Sequence, residues 1–165
     1  MPHRRRPFAG AMAVAGVVVV ADQITKSVAL GELHRPTHLI GPLGLALTYN
    51  SGSAFSLFAG RAAVLGPVAA LAAVVIVWSA WRSRTLPTGI GLGLVLGGAV
   101  GNLADRALRA HHGAVVDFIT LSHWPTFNVA DAAITVGAVL LAISLGRPAR
   151  RDPAPVSSTG GKADG

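Results

Sequence analysis

The fold turns on one stretch: Leu86-Pro-Thr-Gly-Ile-Gly-Leu-Gly-Leu-Val-Leu-Gly-Gly-Ala-Val-Gly-Asn-Leu-Ala-Asp-Arg106. From Leu86 to Ala104 it carries no charge, and a membrane-crossing helix needs about 20 mostly apolar residues. Gly93, Gly97 and Gly101 recur every four residues and lead on to Asp105. At helical pitch they share one face, and small residues at this spacing let helices approach closely in a bilayer. The stripe therefore reads as packing, and it turns Asp105 into a bundle instead of towards lipid.

Three further apolar stretches flank this one. Phe8 to Leu30 is apolar as far as Ala21 and is then broken by Asp22 and Lys26. Ala62 to Trp81 is uncharged, and the last stretch runs from near Phe127 to Gly146, with Asp131 in its first turns. Hydrophobic residues make up 52% of the chain and charged ones 13%, against roughly 25% charged in soluble domains. The 165 residues suffice for one domain. The expected architecture is an all-α membrane protein: one domain over residues 1–150, with four transmembrane helices at about 8–30, 62–81, 86–106 and 127–146. The segment from 151 to 165, rich in Pro, Ser, Gly and Ala, is expected to be a disordered cytoplasmic tail.

A net charge of +7 would suit nucleic acid, but the basic residues flank apolar runs, which points to membrane lipids as the partner. Arg4 to Arg6, Arg82 with Arg84, and Arg147, Arg150 and Arg151 fall on one side of a four-span chain. That side is the cytoplasm, so both termini are expected inside, with residues 31–61 and 107–126 outside. The rival for the first span is a cleavable signal peptide, with Ala13-Val14-Ala15 as its cutting site; a cut there would fall inside the apolar run. In the first outer segment Leu43 to Tyr49 suits a strand, and Ser53 to Ala59 suits a short amphipathic surface helix.

Charged groups inside a span cost at least about 2.5 kcal/mol each, and are kept where they pair, face a cavity or work. Here the charged groups gather, together with two asparagines, at the outer ends: Asp22 and Lys26; Asn102, Asp105 and Arg106; Asn128 and Asp131. Asp22 and Lys26 lie four apart and can pair as a neutralising couple, and Asp105 with Arg106 reads equally as a structural ion pair. In the last span Asn128, Asp131, Thr135 and Ala138 share a face, expected to point inward. Asp117 stands alone in Val115-Val116-Asp117-Phe118-Ile119, flanked by residues that belong at an interface.

Asp117 and Asp131 are fourteen residues apart across a reversal. If they meet, one proton is shared between them, and such a pair can activate water against a peptide bond with no covalent intermediate. Spacing alone leaves open whether they meet or are unrelated acids. The absence of cysteine excludes thiol nucleophiles, disulfides and Cys-based zinc sites. His111, His112 and His123 match no standard metal spacing, and Ser51, Ser53 and Ser56 sit in no nucleophile motif. No metal or cofactor is expected. A transporter or proton conduit relaying through Asp22, Asp105 and Asp131 would need ionisable groups along the whole depth, and the inner halves hold almost none. A non-catalytic assembly factor is a further alternative. A presenilin-type protease requires Gly-x-Gly-Asp, whereas Gly91-Leu92-Gly93 is followed by Leu94.

Five blocks remain to be read together: Asp22-Gln23-x-x-Lys26; Asn50-x-Gly52-x-Ala54-Phe55; Gly97-Gly98-Ala99-x-Gly101-Asn102-x-x-Asp105-Arg106; Val115-Val116-Asp117-Phe118; and Phe127-Asn128-x-Ala130-Asp131. In this order, over about residues 15 to 140, they resemble the signature blocks of lipoprotein signal peptidase (signal peptidase II). The resemblance implies a four-helix membrane aspartic peptidase, with an outer β-cradle and a surface helix. Such an enzyme removes the signal peptide of prolipoproteins just before a diacylglyceryl-modified cysteine, close to the extracytoplasmic face of a bacterial cell membrane. It implies catalytic roles for Asp117 and Asp131, and a site lined by Asn50, Asn102, Arg106 and Asn128. Gly52, Asp22, Lys26 and Asp105 match further, supporting positions. The stretch Ala107-Leu-Arg-Ala-His-His-Gly-Ala114 is longer than that family leads one to expect, which leaves the path of this loop open. A monomer is the default expectation.

Overall fold

The computed structural model describes residues 5–51, 62–109 and 113–146. Four helices and four strands follow in the order α1 (Arg5–Glu32), β1 (Thr37–Ile40), β2 (Leu43–Asn50), α2 (Ala62–Arg82), α3 (Leu86–Leu108), β3 (Val115–Leu121), β4 (Trp124–Phe127) and α4 (Val129–Gly146). The expected surface helix at Ser53–Ala59, Gly52, and the tail from residue 151 lie outside the described residues.

Helix α3 is the centre of the bundle, packed against α1, α4 and α2. Its glycines face two ways. A Cβ at Gly89 or Gly93 would lie 2.5 Å from the carbonyl oxygen of Pro7 or Ala11, one at Gly97 2.7 Å from Val18 Cβ, and one at Gly101 2.6 Å from Asp22 Oδ2. On the other side Gly91 meets Leu141, and Gly98 meets the backbone of Ala130. The anticipated stripe is thus real and one residue longer at its start, and a second set of glycines seats α4. Because α1 lies this close, Asp22 is pressed against the α3 backbone at Gly101.

The helices present apolar side chains outward: Val17, Val20, Ile24 and Val28 on α1; Val68, Leu71, Val74, Trp78 and Trp81 on α2; Val136, Val139 and Ile143 on α4. A surface this continuous suits hydrocarbon, not water. Helices α1 and α3 are long and apolar enough to cross a membrane, while the apolar lengths Pro67–Arg82 and Val129–Ser144 are shorter. At the end where α2 turns into α3, Arg82 stacks over Trp78 at 4.6 Å and Phe8 meets Trp81 edge-on at 5.1 Å. Thr85 caps α3, accepting from Thr88 N, and Pro87 occupies its first turn, where a missing N–H is harmless.

The opposite end carries a four-stranded antiparallel sheet in the order β1-β2-β3-β4. The strand expected at Leu43–Tyr49 is β2. The second outer segment supplies the other half of the sheet as β3 and β4, which periodicity did not reveal because β3 is buried on both faces from Val115 to Phe118 and so lacks an in–out alternation. Register sets Thr48 opposite Asp117 and Asn50 opposite Val115. The β1–β2 turn places Gly41 at φ 51°, a left-handed conformation that glycine adopts without strain.

One boundary needs correction. The last helix does not start near Phe127, which ends β4, but at Val129. Asn128 is its N-cap: Asn128 Oδ1 accepts from Asp131 N at 3.0 Å, and Asp131 Oδ2 accepts from Asn128 N at 3.2 Å. This is the reciprocal capping box, and it was available in Asn128-x-x-Asp131. The stripe Thr135–Ala138 also points elsewhere than expected: both are exposed, and Ala130, Ala133 and Gly137 form the buried face.

Gly93→Val should force α1 off α3, lowering stability by about 1–3 kcal/mol through overpacking. Gly16→Ala, where a Cβ meets nothing within 4 Å, should leave the melting temperature equal or higher. Thermal unfolding of both purified variants in one detergent distinguishes the two outcomes.

Candidate active site

Lys26 is fully buried and its ammonium group meets three acceptors: Asp22 Oδ2 at 2.8 Å, Asp105 Oδ2 at 2.9 Å and Asn102 Oδ1 at 3.0 Å. An ammonium has three donors, so none is left over. Each partner holds another element. Asp22 Oδ1 accepts from Ala130 N at 3.0 Å, fixing the first turn of α4. Asp105 Oδ2 accepts from Val116 N at 3.0 Å, fixing β3. Asn102 donates from Nδ2 to Asp131 Oδ1 at 2.9 Å. The pairing of Asp22 with Lys26 is as expected from their spacing. The alternative pair Asp105–Arg106 is not formed: Asp105 pairs with Lys26 and with Arg109, whose Nε lies 3.0 Å from Oδ1.

Asp117 and Asp131 are joined through Asn128. Asn128 Nδ2 donates to Asp117 Oδ1 at 2.6 Å, while its backbone N–H and side-chain oxygen hold Asp131. The same amide group also reaches Asn102 Oδ1 at 3.1 Å and Val116 O at 3.3 Å. The other oxygen of Asp117 accepts from Asn50 Nδ2 at 3.0 Å, so strand β2 and the cap of α4 grip one carboxyl between them. Asp117 is 1% exposed. Burial pushes its carboxyl up to about 6, the Asp131 charge adds to the rise, and the hydrogen bonds from Asn50 and Asn128 together with the Lys26 charge oppose it.

Arg106 donates from Nη1 to Asn102 O at 3.2 Å, and its charge acts on Asp131, Asp105 and Asp117. Its Nε is buried with no partner among the described residues. The cluster therefore sets the carboxylates of Asp22, Asp105, Asp117 and Asp131 against the cations of Lys26, Arg106 and Arg109. One negative charge is in excess, which a single shared proton would cancel. Of the expected site residues, Asp22, Lys26, Asn50, Asn102, Asp105, Arg106, Asn128, Asp117 and Asp131 all join this network; Gly52 falls outside the described residues. The acids Asp22, Asp105 and Asp131 gather at one end of the bundle and do not line a path through it. No group of three metal-binding side chains occurs among the described residues.

Two members were not anticipated. Gln23 Nε2 donates to Gly101 O at 3.1 Å and to Asp105 Oδ1 at 3.0 Å. Arg109, besides Asp105, reaches Gln23 Oε1 and Ser27 Oγ, both at 3.2 Å. The available signals were the place of Gln23 beside Asp22 and the spacing of four from Asp105 to Arg109.

Residues 14–147 match the family described as Signal peptidase (SPase) II. The chain belongs to the signal peptidase II family. It is 42% identical over 147 residues to the lipoprotein signal peptidase of Rhodococcus jostii strain RHA1, covering 86% of this chain and 73% of that one. With the lipoprotein signal peptidase of Mycobacterium tuberculosis strain H37Rv it shares 43% over 148 residues, covering 86% and 72%. A solved bacterial membrane enzyme, determined in meso at 1.9 Å, superposes with a TM-score of 0.75 at 27% identity, covering 83% of this chain and 92% of that one. Like that family, this chain is a peptidase of the bacterial membrane.

Lys26→Met would leave Asp22 and Asp105 as buried acids without their shared cation. Removing one partner of a buried ion pair costs about 3–5 kcal/mol. Denaturant unfolding should register a loss of this size, and a loss below about 1 kcal/mol would mean that Lys26 does not tie the elements together.

Proposed function

We propose that the chain is an aspartic endopeptidase that cleaves the signal peptide of diacylglyceryl-modified prolipoproteins just before the lipid-bearing cysteine, with Asp117 and Asp131 as its catalytic pair. The observation that carries this reading is the bridge at Asn128, which holds both carboxyls in one buried cluster with one negative charge in excess. The relatives' name, lipoprotein signal peptidase, supplies the substrate class.

In this mechanism Asp131 takes a proton from water as the water oxygen bonds to the scissile carbonyl carbon. Asp117 gives its proton to the carbonyl oxygen, forming a neutral gem-diol. The C–N bond then breaks; the leaving nitrogen takes the proton from Asp131, and a diol hydroxyl returns one to Asp117. Arg106 Nε is the donor we assign to the substrate backbone, since a buried N–H without a partner is costly. Four spans are proposed, α1 to α4, with both termini cytoplasmic and the sheet end outside. The placement of Arg6, Arg82 and Arg84 at the opposite end supports this orientation. The site then lies at outer-leaflet depth, where acyl chains stay in lipid while the peptide reaches the pair. A monomer is proposed, since the described residues of the pair's network bond to one another within a single chain.

Purified wild type, Asp117→Asn and Asp131→Asn should be compared on a diacylglyceryl-modified prolipoprotein and on its unmodified form. Each substitution is expected to lower kcat/KM by about a thousandfold or more, as for a member of a catalytic unit, and the unmodified form should be a poor substrate for wild type. Normal cutting by both variants would exclude the pair; equal turnover of both substrates would exclude recognition of the lipid. A second expectation concerns pH. Asp117 must hold its proton, and its carboxyl is raised to about 6, so kcat/KM should fall as pH rises through about 6. A profile flat from pH 5 to 8 would contradict this.

A further inference from the structure

Arg109 stands where the chain leaves α3. Its backbone has left helical geometry (φ −92°, ψ 135°), and its N–H still donates to Asp105 O at 3.0 Å. Its guanidinium turns back over the helix end. Nε takes Asp105 Oδ1 at 3.0 Å, while Nη2 takes Gln23 Oε1 and Ser27 Oγ at 3.2 Å and Gln23 O at 3.4 Å. One planar fork thus ties the end of α3 to the outer turns of α1. Its side chain is 18% exposed where Asp105 and Lys26 are fully buried, so it closes the charged cluster on its solvent side.

Asp105 uses its two oxygens differently. Oδ1 is held by Arg109 and Gln23, and Oδ2 by Lys26 and the N–H of Val116. Val116 precedes Asp117, and Asp105 is the only side chain that accepts its N–H among the described residues. With Oδ1 fixed, the carboxylate plane cannot turn, and Oδ2 stays aimed at strand β3. We infer that Arg109 is a positioning residue for peptide hydrolysis: acting through Asp105, it fixes the depth and orientation of Asp117 against Asp131. This rests on the proposed catalytic role of Asp117. Arg109 does not touch Asp117, and the α4 side of the network, from Lys26 through Asp22 to Ala130, does not pass through it.

That asymmetry gives a readout that general loosening would not move. In full-length protein, amide hydrogen exchange should be measured at Val116 and Ala130 for wild type, Arg109→Ala and Arg109→Lys, beside kcat and KM on a diacylglyceryl-modified prolipoprotein peptide. Arg109→Ala is expected to speed exchange at Val116 tenfold or more with Ala130 unchanged. It should also lower kcat at least tenfold with KM within twofold. Arg109→Lys keeps a charge but cannot span Asp105 and Gln23 with one rigid fork, so it should fall between. Unchanged exchange at Val116, equal acceleration at both amides, or kcat within twofold of wild type would overturn the inference. If Arg109→Ala fails to fold, Arg109→Lys decides alone, and wild-type values for it would overturn the inference. Full activity of Asp117→Asn would remove the aspartate pair instead, leaving the exchange result to stand by itself.

Discussion

One ammonium group between two carboxylates organises this molecule. Lys26, wholly enclosed, meets Asp22 and Asp105 at 2.8 and 2.9 Å. Each acid also accepts from the backbone of an element that carries an aspartate of the candidate pair: Ala130 for α4 and Val116 for β3. Buried charge of this kind is weak evidence for stability, because desolvation opposes the attraction. Its effect here is geometric. An acid whose oxygens are shared between a cation and a fixed N–H has one orientation, so the helix start and the strand it holds have one relative position.

The glycines make that cluster possible. Only a helix without side chains at Gly93, Gly97 and Gly101 lets α1 come near enough for Asp22 and Lys26 to reach across α3. Packing in the apolar middle of the bundle and charge pairing at its end are therefore one arrangement. Outside it, valines, leucines and tryptophans face away from the protein, as befits a peptidase of the membrane.

Much of this was legible in the chain. The helices follow from uncharged runs near 20 residues long, and the placement of polar groups at one end follows from where Asp22, Asp105 and Asp131 interrupt or border those runs. The joining of Asp117 and Asp131 through one residue did not follow, because it depends on Asn128 acting at once as a helix cap and as a donor across to β3. Local spacing encodes the first role and only tertiary contact creates the second. Strand β3 was missed because a strand covered on both faces has no period of two, and β4 because four residues with Pro125 among them are too few to show one. Arg109 was missed because a single arginine after a helix reads as a solvated end, and its partners on α1 are 82 and 86 positions away in sequence.

The central claim is that the Asp117 carboxyl sits buried within reach of the charge on Asp131. Carboxyl-carbon NMR of aspartate-labelled protein, titrated from pH 3 to 8 in wild type and in Asp131→Asn, tests it without recourse to turnover. The Asp117 signal should titrate near pH 6 and move lower when Asp131 loses its charge, because a neighbouring anion holds the proton on. Titration of Asp117 close to 3.8, the ordinary value, with no response to Asp131→Asn, would contradict the account.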